Sequence, residues 1–418
     1  MNTKDFLKIF FSYSVSLSFE RASHFLMVPI LASSLTLQEI GLFGLMQVIG
    51  SIFSNVINFN GGAGIIKAVH ENDQELPKVF VSYFYLSFVV VILLLPVLNI
   101  FFDKEFIQTI LFFSFSQSMF YLFGAYLRAT FQHKSYSFFL ICRAFLNVGI
   151  VLFVGNIYAI FNILSFFTTL LTLFFFFTNS PKVLSLSSWK VFKPLFLFST
   201  SLLVLPVSQW IMSSGDRILI KKMLDDKQLG IYTLGYSIAM FLMLLNVGLA
   251  QVLPQYYMKY YHSWKSNVNR LKFQVGYAFL SFFLFVVLCA AVEVNNTWLH
   301  WIQQITAQIK FCMLLAYLGM YFLGHYYFYS NILFVESKGG IISVVGVLCG
   351  LLNLVMNIFM IPSWGIYGAA ASTVVCYFLY QLLISCFCRK YIKHHIFLEQ
   401  VGIVVGALFP YGFFLLIW

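Results

Sequence analysis

Charged side chains are scarce in this chain: Asp, Glu, Lys and Arg together make up 9% of its 418 residues, whereas 61% are hydrophobic. The mean hydropathy is +0.88. No polar interruption is longer than about 20 residues, which is too short to fold as a domain of its own. The composition therefore excludes a soluble enzyme and indicates one polytopic membrane domain.

Sites of covalent chemistry are missing as well. The seven cysteines lie in or beside apolar segments without C-x-x-C spacing, which is typical of free thiols in helices rather than of a metal site. The sequence contains no Walker A phosphate-binding loop and no constellation of nucleophile, base and orienting group. We therefore expect no enzyme activity, no cofactor and no metal. No removable signal peptide is expected, because the first segment carries its own charges.

Long apolar runs are what the chain has instead. A helix crosses a bilayer in about 20 apolar residues, whereas the strands of a membrane barrel alternate over about ten. Twelve runs of the first kind occur, near 11–33, 41–66, 79–101, 107–128, 137–156, 158–178, 195–220, 229–254, 273–293, 309–334, 341–361 and 365–388. A thirteenth, 398–418, contains Glu399 and Pro410, and the pattern leaves open whether it spans the membrane or lies at its interface.

The predicted fold class is an all-α polytopic membrane protein with about 12 transmembrane helices, or 13 with the last segment. We expect a six-helix N-terminal lobe at 1–190, a six-helix C-terminal lobe at 191–395 and a candidate extra helix at 396–418. Residues 38–45, which open the second segment, are similar to residues 227–234, which open the eighth. An offset of six helices keeps the same orientation, as in parallel repeats.

The distribution of basic residues predicts the orientation in the membrane. With a cytoplasmic N-terminus, seventeen Lys and Arg residues outside the spans lie on the cytoplasmic side and five on the other. This positive-inside bias accounts for most of the net charge of +11 without a nucleic-acid partner.

Ionised residues inside the first apolar segment point to function. Glu20, Arg21 and His24 stand near its middle. A charge at that depth costs roughly 2.5 to 3.5 kcal/mol even on the mildest insertion scale, so such residues face a bundle interior or a watery cavity. Arg21 is too deep to reach the membrane surface easily, and the alternative to a functional role is a structural pair with Glu20.

The other charges in or beside apolar segments leave more than one interpretation open. Arg143 is about two turns from the cytoplasmic face, where snorkelling is an equal explanation. Asp216 and Arg217 fit an interfacial anchor as well as a lumenal role, and Lys67 and Arg128 stand at helix ends, where anchoring is common.

Polar residues also recur at helical spacing and form seams along four segments. Such a seam either lines a cavity or packs helices together, and four seams with central charges favour a cavity. Among the members are Glu20 and His24 in the first segment, Asn58 in the second, Gln117 and Arg128 in the fourth, and Asn353 and Asn357 in the eleventh. A guanidinium stays charged in a partly dry cavity and binds phosphate oxygens as a bidentate donor, so the arginines suit a diphosphate better than a neutral sugar or an organic cation.

Four stretches carry a resemblance to a known family: 38–44, the glycine-rich 58–64, 215–217 leading to 229–232, and 365–371. Their order and spacing over nearly the whole chain resemble the bacterial polysaccharide flippases of the multidrug/oligosaccharidyl-lipid/polysaccharide (MOP) exporter superfamily, the Wzx-type O-antigen transporters in particular. The resemblance implies a two-lobed, V-shaped bundle with a cationic cavity and alternating access in the bacterial inner membrane.

The resemblance also implies a cargo, namely an oligosaccharide on undecaprenyl diphosphate that moves from the cytoplasmic to the periplasmic leaflet during O-antigen or lipopolysaccharide biosynthesis. A polysaccharide polymerase and a chain-length regulator are the candidate partner proteins. The residues expected to contact the diphosphate or the cavity are Arg21, Arg143, Arg217, Arg128 and Lys67, and those expected to line the cavity or couple transport are Glu20, His24, Asp216, Gln117, Asn58, Asn353 and Asn357.

Three alternatives compete with a flippase. A drug or metabolite antiporter of the same superfamily would prefer acidic cavity residues for a cationic cargo. A membrane-embedded polymerase or glycosyltransferase would need larger outer loops than this chain has, and a purely structural subunit fits poorly with a buried arginine. The coupling ion, proton or sodium, stays open, and Glu20 is the first choice for the coupling carboxylate.

Overall fold

All secondary structure in the described part of the chain is helical. The computed structural model describes residues 3–71, 75–101, 103–179, 185–264, 268–300, 302, 305–392 and 396–418. Within them lie the helices α1 (Thr3–Leu31), α2 (Leu37–Ile57), α3 (Gly61–Glu71), α4 (Leu76–Phe101), α5 (Lys104–Ala129), α6 (His133–Phe153), α7 (Ile157–Asn179), α8 (Trp189–Ser201), α9 (Val204–Ser214), α10 (Asp216–Met223), α11 (Asp226–Ala239), α12 (Leu242–Trp264), α13 (Val268–Val294), α14 (Ala307–Val335), α15 (Gly339–Phe387) and α16 (Ile396–Ile417). Backbone groups in hydrocarbon must be satisfied within their own segment, which is why the apolar runs fold as helices.

Capping residues set where several helices begin. Thr36 and Glu39 form a capping box before α2: the Glu39 N–H donates to Thr36 Oγ1 at 3.3 Å, and the Thr36 N–H donates to Glu39 Oε2 at 2.8 Å. Asp103 accepts from the Phe106 N–H at 3.0 Å ahead of α5, and Asp225 accepts from Gln228 ahead of α11 at 2.7 Å.

The number of spans agrees with the predicted fold class. By length and hydropathy, ten helical segments of the described chain can cross a membrane, and the pair α11 and α12, bent by 55°, adds an eleventh. The segment α15 is 49 residues long and contains two helices, and α1, with 29 residues, is also long enough to cross. The thirteenth predicted segment is α16, whose apolar part Phe397–Ile417 has the length and hydropathy of a span.

The helix α15 is a hairpin that folds back at Gly365. Gly365 has φ +59°, which favours glycine, and it is the non-helical residue inside α15. Across the hairpin, Asn357 Oδ1 accepts from Ser372 Oγ at 2.6 Å, while a Cβ on Gly346 would lie 3.2 Å from the Tyr380 hydroxyl. The two halves therefore run antiparallel in close contact.

Two predicted spans are interrupted. The run 41–66 is divided between α2 and α3, because Phe59 and Asn60 adopt positive φ angles of 51° and 55°. The run 195–220 extends over parts of α8, α9 and α10, so Asp216 opens a short helix rather than closing a long one.

The chain forms two compact units. Unit 1 contains residues 1–27 and 45–207, and unit 2 contains residues 28–44 and 208–418. The core of unit 1 is rich in aromatic rings around α5: the Phe120 and Phe139 rings stack at 4.5 Å, and the Phe80 and Phe176 rings at 5.2 Å. In unit 2 the central helix is α14, whose Tyr326 stacks on Tyr380 at 4.4 Å. The predicted lobe boundaries stay a prediction.

The two similar stretches of the sequence contact each other within unit 2. A Cβ on Gly230 would collide with the Leu37 carbonyl oxygen, and a Cβ on Gly41 would lie 2.7 Å from the Asp226 carbonyl oxygen. Only glycine at both positions lets the backbones of α2 and α11 approach this closely, as small residues do between membrane helices.

Replacing Gly230 by alanine should therefore destabilise the protein by roughly 1 to 3 kcal/mol, the usual cost of overpacking. Thermal unfolding of the purified protein, followed by intrinsic fluorescence, measures the loss. Gly248→Ala is the matched control, because a Cβ there meets no atom within 4 Å. Equal melting temperatures for the two variants would contradict the close approach.

Candidate functional site

The first charges of the candidate site lie on α1. Glu20 is 5% exposed, and its Oε1 lies 3.1 Å from Nε2 of His24, one turn further along. Arg21 is half-buried and, like Arg143 of α6, lies within electrostatic range of Glu20. One carboxylate and two guanidinium groups therefore interact inside unit 1.

Arg143 is fully buried in unit 1. None of its three guanidinium nitrogens has a hydrogen-bond partner among the described residues, and its Cζ lies 5.2 Å from the centroid of the Phe120 ring on α5. A buried donor without an acceptor costs about 1 to 3 kcal/mol, and more when it is charged. Arg143 thus does not snorkel to the membrane surface, and its three donor groups lack an acceptor among the described residues.

Tyr121 and Gln117, one turn apart on α5, complete the site. Tyr121 is 45% exposed, although it lies within electrostatic range of Glu20 and both arginines. Gln117 is buried, and neither its oxygen nor its nitrogen has a partner among the described residues. The exposed tyrosine marks the accessible side of this group. We call the set of Glu20, Arg21, His24, Tyr121 and Arg143 the unit 1 cluster.

The unit 1 cluster is unbalanced in charge. Apart from His24, it holds two guanidinium cations against one carboxylate. An uncompensated charge within a membrane bundle costs several kcal/mol, so such groups pair with each other or with a ligand. The arrangement is therefore suited to bind an anion with several oxygen acceptors.

Two residues of α6 that the sequence interpretation missed lie beside the cluster. Asn147, one turn after Arg143, donates from Nδ2 to Ser23 Oγ at 2.9 Å and ties α6 to α1. Tyr136, two turns before Arg143, lies within electrostatic range of Glu20. Their spacing along α6 is the signal that could have found them, because residues at i+4 and i−7 share a helix face.

The other residues of unit 1 that were predicted to bind the diphosphate or line the cavity are not members of the unit 1 cluster. Arg128 is exposed at the end of α5, and its Cζ lies 5.8 Å from the Tyr136 ring centroid. Lys67 on α3 is half-buried, with its Nζ 4.3 Å from the Phe198 ring centroid. Asn58 Oδ1 accepts from the Gly61 N–H at 3.2 Å and so shapes the turn between α2 and α3. We assign Asn58 a role in this turn.

The remaining predicted residues form a polar network in unit 2. The Asp216 carboxylate accepts from the hydroxyls of Tyr232 and Thr373, the latter at 3.4 Å. Asn353 Nδ2 donates to Thr373 Oγ1 at 3.5 Å, and Asn357 Nδ2 donates to Asn353 Oδ1 at 3.1 Å. Asp216 is 1% exposed, and its Oδ1 has no partner among the described residues. We call these five residues the unit 2 network.

Arg217 lies next to this network. It is buried, its Nε has no partner among the described residues, and its Cζ lies 4.9 Å from the Tyr236 ring centroid. Because Asp216 and Arg217 are both buried, neither is a surface anchor.

Within the described ranges, no group of three or more His, Cys, Asp or Glu side chains is arranged to hold a metal ion.

These features define a multi-pass helical membrane protein with charged and polar side chains buried in its helical bundle. The chain is similar to the lipid II flippase MurJ in an inward closed conformation, with 14% identity, a TM-score of 0.69, and coverage of 97% of this chain and 93% of that one. It is also similar to the MATE multidrug transporter DinF-BH, with 15% identity, a TM-score of 0.61, and coverage of 93% and 97%. An inward-facing MATE family transporter of the MOP superfamily gives 12% identity, a TM-score of 0.59, and coverage of 89% and 94%.

Residues 30–295, more than half of the chain, match the family of polysaccharide biosynthesis proteins, and the chain belongs to that family. No curated protein sequence matches it significantly. The predicted resemblance to the MOP superfamily is confirmed by this family match together with the fold.

The charge imbalance predicts opposite effects on stability for two variants. Arg143→Met removes a buried cation without a hydrogen bond and should leave the melting temperature unchanged or higher, because an apolar side chain of similar volume costs nothing to desolvate. Glu20→Gln leaves both arginines without a countercharge and should destabilise the protein by about 3 kcal/mol.

Thermal unfolding of both purified variants, with the exposed Arg389→Met as a neutral control, compares the two effects. An Arg143→Met protein that unfolds well below Glu20→Gln would show that Arg143 has a structural partner.

Proposed function

We propose that this protein translocates an oligosaccharide linked to undecaprenyl diphosphate, an O-antigen or similar repeat unit, between membrane leaflets by alternating access. The observation that carries the proposal is the buried guanidinium of Arg143, which has no hydrogen-bond partner among the described residues and lies within electrostatic range of Glu20. Membership of the polysaccharide biosynthesis family and the transporter fold support the same conclusion. The cargo undergoes no covalent change.

The two arginines have different parts in binding the diphosphate. Arg21 is half-buried and can meet the ligand first, whereas Arg143 is fully buried and held against Phe120. Each guanidinium offers donors in a planar fork that fits two phosphate oxygens, and burial strengthens such charge-assisted bonds. The partly accessible Tyr121 can donate to a bridging or terminal oxygen from α5.

Glu20 can couple ligand binding to an ion. A diphosphate diester carries two negative charges, whereas the unit 1 cluster without a ligand has an excess of one positive charge. Protonation of Glu20 brings the excess to two and matches the ligand. Binding and release of the cargo would then accompany uptake and loss of one proton, as is typical of buried carboxylates in transporters.

The unit 2 network is a second candidate for ion coupling. The Asp216 carboxylate has one oxygen without a partner in the described chain, and amide and hydroxyl oxygens of α15 lie nearby. Oxygen ligands of this kind suit a small hard cation. The coupling ion is therefore a proton if Glu20 acts and a metal cation if the unit 2 network acts.

We further place the protein in the bacterial inner membrane with its N-terminus in the cytoplasm, which the positive-inside bias supports. Transport then runs from the cytoplasmic to the periplasmic leaflet, where a polysaccharide polymerase and a chain-length regulator would receive the product.

The cargo is tested by flipping in proteoliposomes loaded with a fluorescent polyprenyl-diphosphate oligosaccharide. Arg21→Ala and Arg143→Ala should each slow flipping about 10- to 100-fold, since each removes a charge-assisted contact. Lysine at either position should restore only part of the rate, because a point charge cannot replace the fork.

The exposed Arg389→Ala is the matched control and should flip normally. Wild-type rates in both arginine variants would overturn the assignment of the site. Efflux of an organic cation without any flipping of the lipid would favour a drug antiporter instead.

Ion coupling is tested with imposed pH and sodium gradients. Glu20→Gln should still bind the cargo, but its flipping rate should no longer depend on the pH gradient; the exposed Glu105→Gln should behave as wild type. Loss of sodium dependence in Asp216→Asn, with Glu20→Gln unaffected, would move the coupling site to unit 2. Transport that ignores every gradient would rule out ion coupling.

A further inference from the structure

A third polar group lies in unit 2, where α13, α14 and α16 meet. Arg270 of α13 and Glu399 of α16 form an ion pair with side-chain exposures of 1% and 5%. The Tyr329 hydroxyl of α14 donates to the second carboxylate oxygen of Glu399 at 2.9 Å. The carboxylate within the last apolar segment is therefore neutralised, and the pair joins α16 to α13.

A cavity of about 350 Å³ adjoins this ion pair. Val275 and Leu398 at its rim are 52% and 66% exposed, and both belong to helices that can span a membrane. The cavity thus opens toward the hydrocarbon of the bilayer rather than toward water. Its apolar walls are Leu271, Val275 and Ala278 of α13 and Leu398, Gly402 and Ile403 of α16. We call it the α13–α16 pocket.

The floor of this pocket is polar. Gln274 is 4% exposed and His325 is 1% exposed, and both line the pocket. Neither ring nitrogen of His325 has a hydrogen-bond partner among the described residues, and the Gln274 amide, whose interaction with the Tyr329 hydroxyl uses one N–H, keeps a second. Buried polar groups are nearly always satisfied, so the remaining N–H groups of His325 and Gln274 call for an acceptor supplied by a ligand. In an apolar pocket, a few such groups fix the orientation of what binds.

The depth of the floor points to the chemistry of the ligand. Gln274 is six residues from the first residue of α13 and His325 is ten from the last residue of α14, while Glu399 beside them is three from the first residue of α16, so the floor lies nearer these helix ends than the opposite ones. At this level the hydrocarbon of a bilayer gives way to its polar interface, where the glycerol esters of phospholipids lie. Because Glu399 already neutralises Arg270, an uncharged oxygen fits the floor better than a phosphate.

We propose that the α13–α16 pocket binds one acyl chain of a membrane glycerophospholipid, with the ester carbonyl oxygen accepting hydrogen bonds from Gln274 and His325. The chain lies along the apolar walls, and the headgroup stays outside. The site is separate from the unit 1 cluster and the unit 2 network in its residues and in its ligand, and it does not depend on which cargo is transported.

Native mass spectrometry of the full chain, released from nanodiscs of ester-linked phosphatidylethanolamine and phosphatidylglycerol, tests the proposal. The wild-type protein should retain about one phospholipid, with no preference for either headgroup. In nanodiscs of the diether analogues, which lack the carbonyl, retention should fall at least about tenfold. The double variant Gln274→Leu and His325→Leu should show the same loss with ester lipids.

Two glycine variants on α16 supply the matched control. A Cβ on Gly402 or on Gly412 meets no atom within 4 Å, so both sites accept a larger side chain. Gly402→Phe fills the pocket and should abolish retention, whereas Gly412→Phe fills a purely apolar groove and should not. Retention by Gly402→Phe at the wild-type level, no retained lipid in the wild type, or equal retention of ester and diether lipids would each overturn the proposal. If Gly402→Phe does not fold, the lipid comparison on the wild type decides.

Discussion

The cost of an ionised group inside a membrane bundle organises the polar interior of this protein. Each buried charge must be matched by another side chain or by a ligand. In unit 2, Arg270 and Glu399 match one to one, and the pair holds a helix in place. In unit 1, Glu20 lies within electrostatic range of both Arg21 and Arg143, which leaves an excess of one cation. The balanced pair is structural, and the unbalanced cluster is where we locate the binding of an anion.

Hydropathy was sufficient to predict most of the fold. The apolar runs became helices because no other arrangement satisfies backbone groups in hydrocarbon, and the capping residues before α2 and α11 fixed where they begin. Within the site, the contact between Glu20 and His24 follows directly from their i, i+4 spacing. The interruption at Phe59 and Asn60 was missed because hydropathy averages over it, although Asn60 followed by Gly61 is a typical turn signal.

Contacts between segments that are far apart in the chain could not be predicted from the sequence. Arg143 is more than 120 residues from Glu20, and neither spacing nor hydropathy shows that α1 and α6 approach each other. In the sequence, Glu399 is an argument against a membrane span at 398–418. In the structure, Arg270 of another helix neutralises its charge. The similarity between residues 38–45 and 227–234 predicted a repeat, but not that Gly41 and Gly230 would lie against each other.

The hairpin at Gly365 also has a consequence for biogenesis. The two halves of α15 are divided by one non-helical residue, so no polar loop separates them during synthesis. Each half is long enough to enter the membrane by itself, but Asn353 and Asn357 of the first half have hydrogen-bond partners, Thr373 and Ser372, in the second. The polar side chains of the first half are therefore fully satisfied only after the second half has been inserted beside it.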